Sequence, residues 1–197
     1  REDLQLAMQA AEIWQTRLAS NPSDYELACK AARAHFYVGE SLPRSERAPH
    51  FRKGMAAARA AIALDPRRPD GHFWLGVNMG SYAASSGLLA ALRHRSAIRQ
   101  SLEASVARDP GCARGGGLCA LGKYYSALPS LFGGDKERAE VLLRRCIACD
   151  PASIVGHYYL GQTLAARGRT DEARAALRFA IDAPFDPDYV PEGRIWK

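Results

Sequence analysis

An Asp-Pro dipeptide divides this sequence at nearly even distances. Its four copies are separated by 44, 41 and 36 residues, and an Asn-Pro lies 44 residues before the first of them. Proline lacks the backbone N–H that a helix interior needs, so each copy is expected to end a helix. Stretches of this length hold two helices and a turn, and such a hairpin needs neighbours of its own kind to bury its apolar faces. The dipeptides begin at Asn21, Asp65, Asp109, Asp150 and Asp186.

A second dipeptide, Leu-Gly, marks the first helix of three hairpins. Its glycine would let a large side chain of the partner helix approach the backbone. In the last hairpin the glycine is followed by an Ala, bulky, Ala pattern, which resembles the roughly 34-residue unit of tetratricopeptide repeat proteins. The resemblance implies an all-α fold, a right-handed solenoid of about four helical hairpins with elongated elbows. The residues are Leu75-Gly76, Leu121-Gly122, Leu160-Gly161, Ala173, Leu177 and Ala180.

The spacing of these dipeptides also predicts how the chain is organised. At 197 residues and 47% hydrophobic, the chain can bury a substantial core. We expect one domain over 1–197, with N-terminal helices over 1–66 and a tail over 188–197. Residues from Phe185 onward lack a helical period, and we expect them to lie across the final repeat. The three hairpins are predicted over 67–110, 111–151 and 152–187.

Two hairpins are longer than the repeat requires. From Gly161 to Ala173 is 12 residues, whereas Gly122 to Ala139 is five more and Gly76 to Ile98 is ten more. We expect the extra residues to lengthen the helices beyond the stack and to form apolar walls on one rim, where insertions in solenoids often carry binding. The candidate elbow residues are Tyr124, Tyr125, Leu128, Leu131 and Phe132.

The elbow motifs resemble a narrower family. Tyr-Tyr, Leu-Pro and Leu-Phe-Gly-Gly, followed by Asp-Lys-Glu-Arg-Ala, are similar to the T component (TatT) of tripartite ATP-independent periplasmic (TRAP) transporters, over roughly 71–183. The regulator of microtubule dynamics proteins of eukaryotes are similar in the same elbows. Resemblance to the T component implies a periplasmic, often lipid-anchored protein that oligomerises, holds an apolar pocket and partners a solute-binding protein.

A ligand groove can be proposed from the repeat geometry. First-helix residues two before and two after the Leu line the inner face in this repeat type, and here they are mostly apolar. Such a groove suits a lipid-like ligand or an apolar peptide. Packing within the core is the alternative for each aromatic residue, and a general peptide-binding scaffold is the alternative function. The groove residues are Phe73, Val77, Cys119, Lys123, Tyr158 and Gln162.

Charge argues against nucleic acid as a partner. The net charge of +6 comes from arginines scattered among acidic residues along the helices. The densest clusters, 44–53 and 93–99, are not interleaved with aromatics as a stacking platform would be. Solvated helix faces explain these clusters, and docking to an acidic partner surface is the alternative.

No catalytic or metal motif is present in the sequence. The five histidines form no His-Glu-x-x-His, and there is no Gly-x-Ser-x-Gly or phosphate-binding loop. Glycines 115–117 follow no predicted strand and indicate close helix packing or a loosened helix start, in preference to a phosphate cradle. The five cysteines lie on helical stripes, so packing is favoured over one disulfide or a zinc site. We therefore expect neither an enzyme nor a cofactor.

The compartment is left open by the sequence. The chain begins at Arg1 without a methionine, so a signal peptide or lipid anchor could have preceded it. Resemblance to the T component favours the periplasm with a lipid anchor, and the cytoplasm is the alternative. A homo-oligomer is the alternative to a monomer.

Overall fold

The computed structural model describes residues 2–184, and all of their regular structure is helical. This confirms the prediction of an all-α repeat fold. Each of the described helices is too short or too polar to span a bilayer. The helices are α1 Glu2–Ser20, α2 Tyr25–Ser41, α3 Arg47–Leu64, α4 Pro69–Ser86, α5 Leu88–Arg108, α6 Cys112–Ala127, α7 Lys136–Cys149, α8 Ile154–Ala165 and α9 Thr170–Asp182.

The chain forms two compact units that meet in sequence between Asp109 and Pro110. In unit 1, α1 packs on α2, and the hairpins α2–α3 and α4–α5 follow. In unit 2 the hairpins are α6–α7 and α8–α9. The division falls at a predicted hairpin boundary. The single domain stays a prediction, and the predicted tail lies outside the described residues.

The Asp-Pro dipeptides form a repeated turn. Asp65 Oδ1 accepts a hydrogen bond from the backbone N–H of Arg67 at 3.0 Å, and Asp150 Oδ1 accepts one from Ala152 at 3.2 Å. A histidine six residues after each proline, at 72 and 157, places its Nε2 3.0 and 3.2 Å from the proline carbonyl oxygen. The aspartate and the histidine therefore hold the turn that begins the next hairpin, which is a structural role for both histidines.

Each Leu-Gly glycine lies against a leucine of its partner helix. A β-carbon on Gly76 would lie 2.5 Å from Leu102, and one on Gly122 would lie 2.5 Å from Leu143. In the last hairpin Leu177 would lie 2.6 Å from a β-carbon on Gly161. These leucines follow their glycines by 26, 21 and 16 residues, so the ten and five extra residues are confirmed as insertions between equivalent contacts.

The two insertions are built differently. In the first, the residues extend both helices, because α4 and α5 have 18 and 21 residues against 12 and 13 in α8 and α9. In the second they form a short 3-10 turn, Ser130–Phe132, closed by two glycines. Tyr125 is buried there beneath Arg138, whose guanidinium lies 4.3 Å from the ring centroid, and Leu131 is 88% exposed. Leu128 and Phe132 are half-buried, and Tyr124 lies edge-on to its neighbour Tyr125.

The helix that begins at Cys112 is irregular in its first turn, and a loosened start is one of the two interpretations of glycines 115–117 given above. Ala113, Arg114 and Gly115 have φ of 50°, 55° and 82°, so the chain makes a left-handed turn before α6 becomes regular. Arg114 Nη2 is held 2.8 Å from Asp150 Oδ1. A β-carbon on Gly115 would lie 2.9 Å from that of Cys149, so close helix packing explains this glycine, as predicted.

Candidate functional site

The first-helix surface of unit 1, which includes half-buried Phe36 and Val77, is backed by an aromatic cluster that is largely buried. Here α2 packs against α4, and Trp74 gathers Phe36, Tyr37 and Phe73 with ring centroids 6.0, 6.3 and 4.7 Å away. Of the predicted groove residues, Phe73 is buried at 8% exposure and belongs to the packing of this cluster. Val77 is half-buried on the same helix.

Sequence reasoning missed the α2 part of this surface. Phe36 is half-buried, and Glu40 accepts a hydrogen bond from the Ser81 hydroxyl of α4. They flank Val38-Gly39, and a β-carbon on Gly39 would lie 2.5 Å from Phe51 of α3. Val-Gly therefore replaces Leu-Gly in this hairpin, and a search that accepted any aliphatic residue before the glycine would have found it.

On the first-helix surface of unit 2, polar side-chain atoms lie beside aromatic rings. Gln162 Nε2 donates to the Tyr158 hydroxyl at 2.8 Å, and Lys123 Nζ lies 5.0 Å from the ring centroid of Tyr159. Thr163, fully buried, donates to Ser126 at 2.9 Å and so joins α8 to α6. Together Lys123, Tyr158 and Gln162 form a surface that can donate hydrogen bonds and stack. The six predicted groove residues are thus divided between the two units.

The cysteines are free thiols, four of them buried. Cys119, a predicted groove residue, is 5% exposed, and its hydrogen bond lowers the pKa of the Cys146 thiol. In the described part of the chain, no three His, Cys, Asp or Glu side chains come together as metal ligands would. Cys119 and Cys146 therefore serve as small packing residues between α6 and α7.

A cleft opens between α1 and α3 on another side of unit 1. Its volume is about 230 Å³. Its floor and walls are mostly aliphatic, with one amine and one amide at the edge. The lining residues are Gln15, Leu18, Lys53, Ala56, Ala57 and Ala60.

A histidine pair, with His35 buried and His50 half-buried, lies behind this cleft. His35 Nε2 is 3.3 Å from Gln15 Oε1, and its Nδ1 is 3.4 Å from His50 Nδ1. Gln15 Oε1 can only accept, so Nε2 of His35 carries a proton; in the neutral ring Nδ1 of His35 is then the acceptor, and Nδ1–H of His50 donates to it. Burial, together with His50 and the charge of Lys53, lowers the pKa of His35 to about 4, and burial and Lys53 also lower the pKa of His50. The pair is therefore uncharged at neutral pH.

An arginine cluster in unit 2 is already neutralised. Glu140 of α7, 7% exposed, accepts from Arg144 at 2.9 Å and Arg169 at 2.6 Å, and also from Arg167. Burial raises the pKa of the Glu140 carboxyl, but the hydrogen bonds from these arginines outweigh burial and leave the pKa below its usual value. The cluster ties α7 to the α8–α9 turn and leaves no anion site.

Sequence comparison identifies two families. The profile described as "Regulator of microtubule dynamics protein 1-3" matches residues 2–115, more than half of the chain, and a tetratricopeptide repeat profile matches 142–175. No curated protein matches the sequence.

Solved structures share the fold. The thermophilic tetratricopeptide repeat protein TTC0263 of Thermus thermophilus is 19% identical, with 98% of this chain and 94% of that chain covered and a TM-score of 0.69. Two structures of MamA are each 16% identical, with TM-scores of 0.56 and 0.55. They cover 88% and 92% of this chain, and 85% and 92% of their own. At these identities the likeness concerns the fold alone.

Proposed function

This chain belongs to the regulator of microtubule dynamics protein 1-3 family, and from that premise we propose that it is a non-catalytic scaffold whose first-helix surfaces bind a polypeptide. The tetratricopeptide repeat fold suggests a protein–protein interaction scaffold, and scaffolds of this kind are generally non-catalytic.

The observation that carries the proposal is the mixed chemistry of the unit 2 surface. Gln162 donates to Tyr158, an aromatic residue with a polar end, and Lys123 lies over the ring of the neighbouring Tyr159. Aromatic residues with nearby donors recur at the energetic centres of protein interfaces. In unit 1, half-buried Phe36 and Val77 add apolar contact area.

The narrower function is also a proposal. A role as the T component of a periplasmic transporter, with a lipid anchor, a bound apolar ligand and a solute-binding partner, rests on the resemblance of the elbows. This role predicts that the purified protein retains a bound lipid. Native mass spectrometry of gently purified protein would show an adduct of lipid mass, and a protein without one that still binds a peptide would favour the general scaffold.

Site-specific photo-crosslinking tests the scaffold proposal. A photoreactive phenylalanine analogue at Phe36, and in a separate variant at Tyr158, is expected to trap a protein partner in cells. At Arg145, an exposed residue of α7, the analogue serves as the control and should not trap it.

Affinity for the trapped partner provides the second measurement. Tyr158→Ala and Val77→Glu should each weaken binding at least tenfold, because the first removes an aromatic anchor and the second places a charge in an apolar contact. Circular dichroism must show that both variants stay folded. Crosslinks at Arg145 alone, or unchanged affinity in both variants, would contradict the proposal.

A further inference from the structure

The cleft between α1 and α3 has a volume suited to one large side chain. At about 230 Å³ it exceeds the roughly 150 Å³ that holds one benzene and falls below the roughly 300 Å³ where small-molecule pockets begin. Leu18 and the alanines at 56, 57 and 60 give it an aliphatic lining. One bulky aliphatic side chain therefore suits it better than a cofactor.

The charge of the cleft lining indicates which charged group the partner carries beside its aliphatic side chain. Helix α3 carries four cations and no carboxylate. Arg47 pairs with Glu40 at 3.8 Å and Arg52 lies over the Tyr82 ring, whereas Lys53, in the cleft lining, has no carboxylate partner among the described residues. Arg59, two turns after Arg52, is likewise unpaired there. An unpaired ammonium beside an aliphatic cleft favours a carboxylate next to an aliphatic group.

The histidines behind the cleft do not compete for this role. His35 and His50 are occupied with each other and with Gln15, and both are neutral at neutral pH. Lys53 is thus the positive group in the lining. The lining has no aromatic ring on which a nucleobase could stack, which disfavours a nucleic acid there.

We propose that this cleft is the docking site for an acidic peptide that inserts one aliphatic side chain between α1 and α3 and pairs a carboxylate with Lys53. The occupant is a partner protein's segment, and the residues that line the cleft differ from those of the first-helix surfaces of the proposed function. A scaffold with both would hold two partners at once.

Selection from a random peptide library on the intact chain tests this. We expect enriched peptides to combine Asp or Glu with Leu, Ile or Val. Lys53→Glu should weaken their binding at least tenfold, and Arg93→Glu, the same charge change at an exposed residue of α5, should change it less than twofold. If Lys53→Glu fails to fold, Lys53→Gln replaces it, with a smaller loss expected.

A second pair of variants tests the cleft itself. Ala60→Phe fills it and should abolish binding, whereas Ala63→Phe, an exposed residue of the same helix that does not line it, should not. The proposal is overturned if no acidic aliphatic peptide is enriched. It is also overturned if the selected peptides bind Lys53→Glu or Ala60→Phe as wild type. Peptides lost in Val77→Glu but kept in Ala60→Phe would belong to the first-helix surface instead.

Discussion

Single glycines decide how closely the two helices of each hairpin approach. In α4, Gly76 and Gly80 lie one turn apart, but their surroundings differ. A β-carbon would lie 2.5 Å from Leu102 at the first position and 3.9 Å from Ile98 at the second. Leu102 is 2% exposed, so it has little room to move away.

This contrast gives the first prediction. Gly76→Ala should destabilise the protein by about 1–3 kcal/mol through overpacking. Gly80→Ala should be neutral or stabilising by up to about 1 kcal/mol, because alanine favours a helix and finds space there. Urea unfolding of both variants measures the difference. Equal stability of the two would show that Gly76 does not set the helix spacing.

The second prediction concerns His35 and acid. Its folded-state pKa of about 4 lies below the ordinary 6.5, so between these values the unfolded chain binds a proton that the folded chain does not. Stability should therefore fall as the pH drops through this window. His35→Gln should lose about 2 kcal/mol less than wild type between pH 7 and pH 5. Denaturant titrations at both pH values measure it, and a variant as acid-sensitive as wild type would refute this origin.

At the scale of elements, one buried carboxylate joins two segments of unit 2 through three arginines. Glu140 holds Arg144 on its own helix and Arg167 and Arg169 in the α8–α9 turn. Exposed pairs contribute little, whereas removing one partner of a buried pair leaves charges uncompensated.

The third prediction follows from that difference. Glu140→Gln should cost about 2–3 kcal/mol. Glu137→Gln, with a side chain 83% exposed and a single ion pair to Arg167, should cost under about 0.5 kcal/mol. Thermal unfolding compares the two. Similar losses would mean that the cluster acts as an ordinary surface network.

The left-handed turn before α6 gives a fourth prediction. Ala113 has a φ of 50°, where a β-carbon is unfavourable by about 1–2 kcal/mol, so Ala113→Gly should not destabilise unit 2. Ala120→Gly, inside the regular part of α6, should cost about 1 kcal/mol. Unfolding experiments on both variants check the pair, and an equal loss in each would argue for an ordinary helix start.

Element boundaries were readable from the sequence because their signals are local. Asp-Pro, Leu-Gly and the insertion lengths depend on neighbours within one hairpin, and they placed the helices well. Glycines 115–117 indicated a loosened start of α6, but no local signal marked the left-handed conformation of Ala113 and Arg114, and Arg114 contacts Asp150, 36 residues away.

The candidate sites were harder to predict from the sequence than the helix boundaries. Phe36 was missed because valine replaces leucine before Gly39, and Phe73 and Cys119 proved largely buried, since position in a repeat does not determine exposure. The α1–α3 cleft depends on how α1 packs, and no motif marks it. Sequence patterns predicted which residues share a helix, whereas identifying the surfaces required knowledge of how the helices pack together.

At the scale of the molecule, the two units are each built from contiguous sequence. We predict that residues 1–109, expressed alone, form a helical and cooperatively unfolding protein, because their hairpins bury their cores within the unit. Circular dichroism during thermal unfolding tests this. A fragment with little helix, or one that melts gradually, would show that unit 1 depends on the remaining residues.

Hairpins built from adjacent helices also affect how quickly the chain can fold. Helix pairs such as α2–α3 and α8–α9 are joined by short connections, so their contacts close small loops at a small entropic cost. Proteins dominated by such local contacts fold on the microsecond to millisecond scale. During synthesis, each hairpin therefore needs only a neighbouring one along the chain to cover its apolar face, and its burial does not depend on residues far away in the sequence.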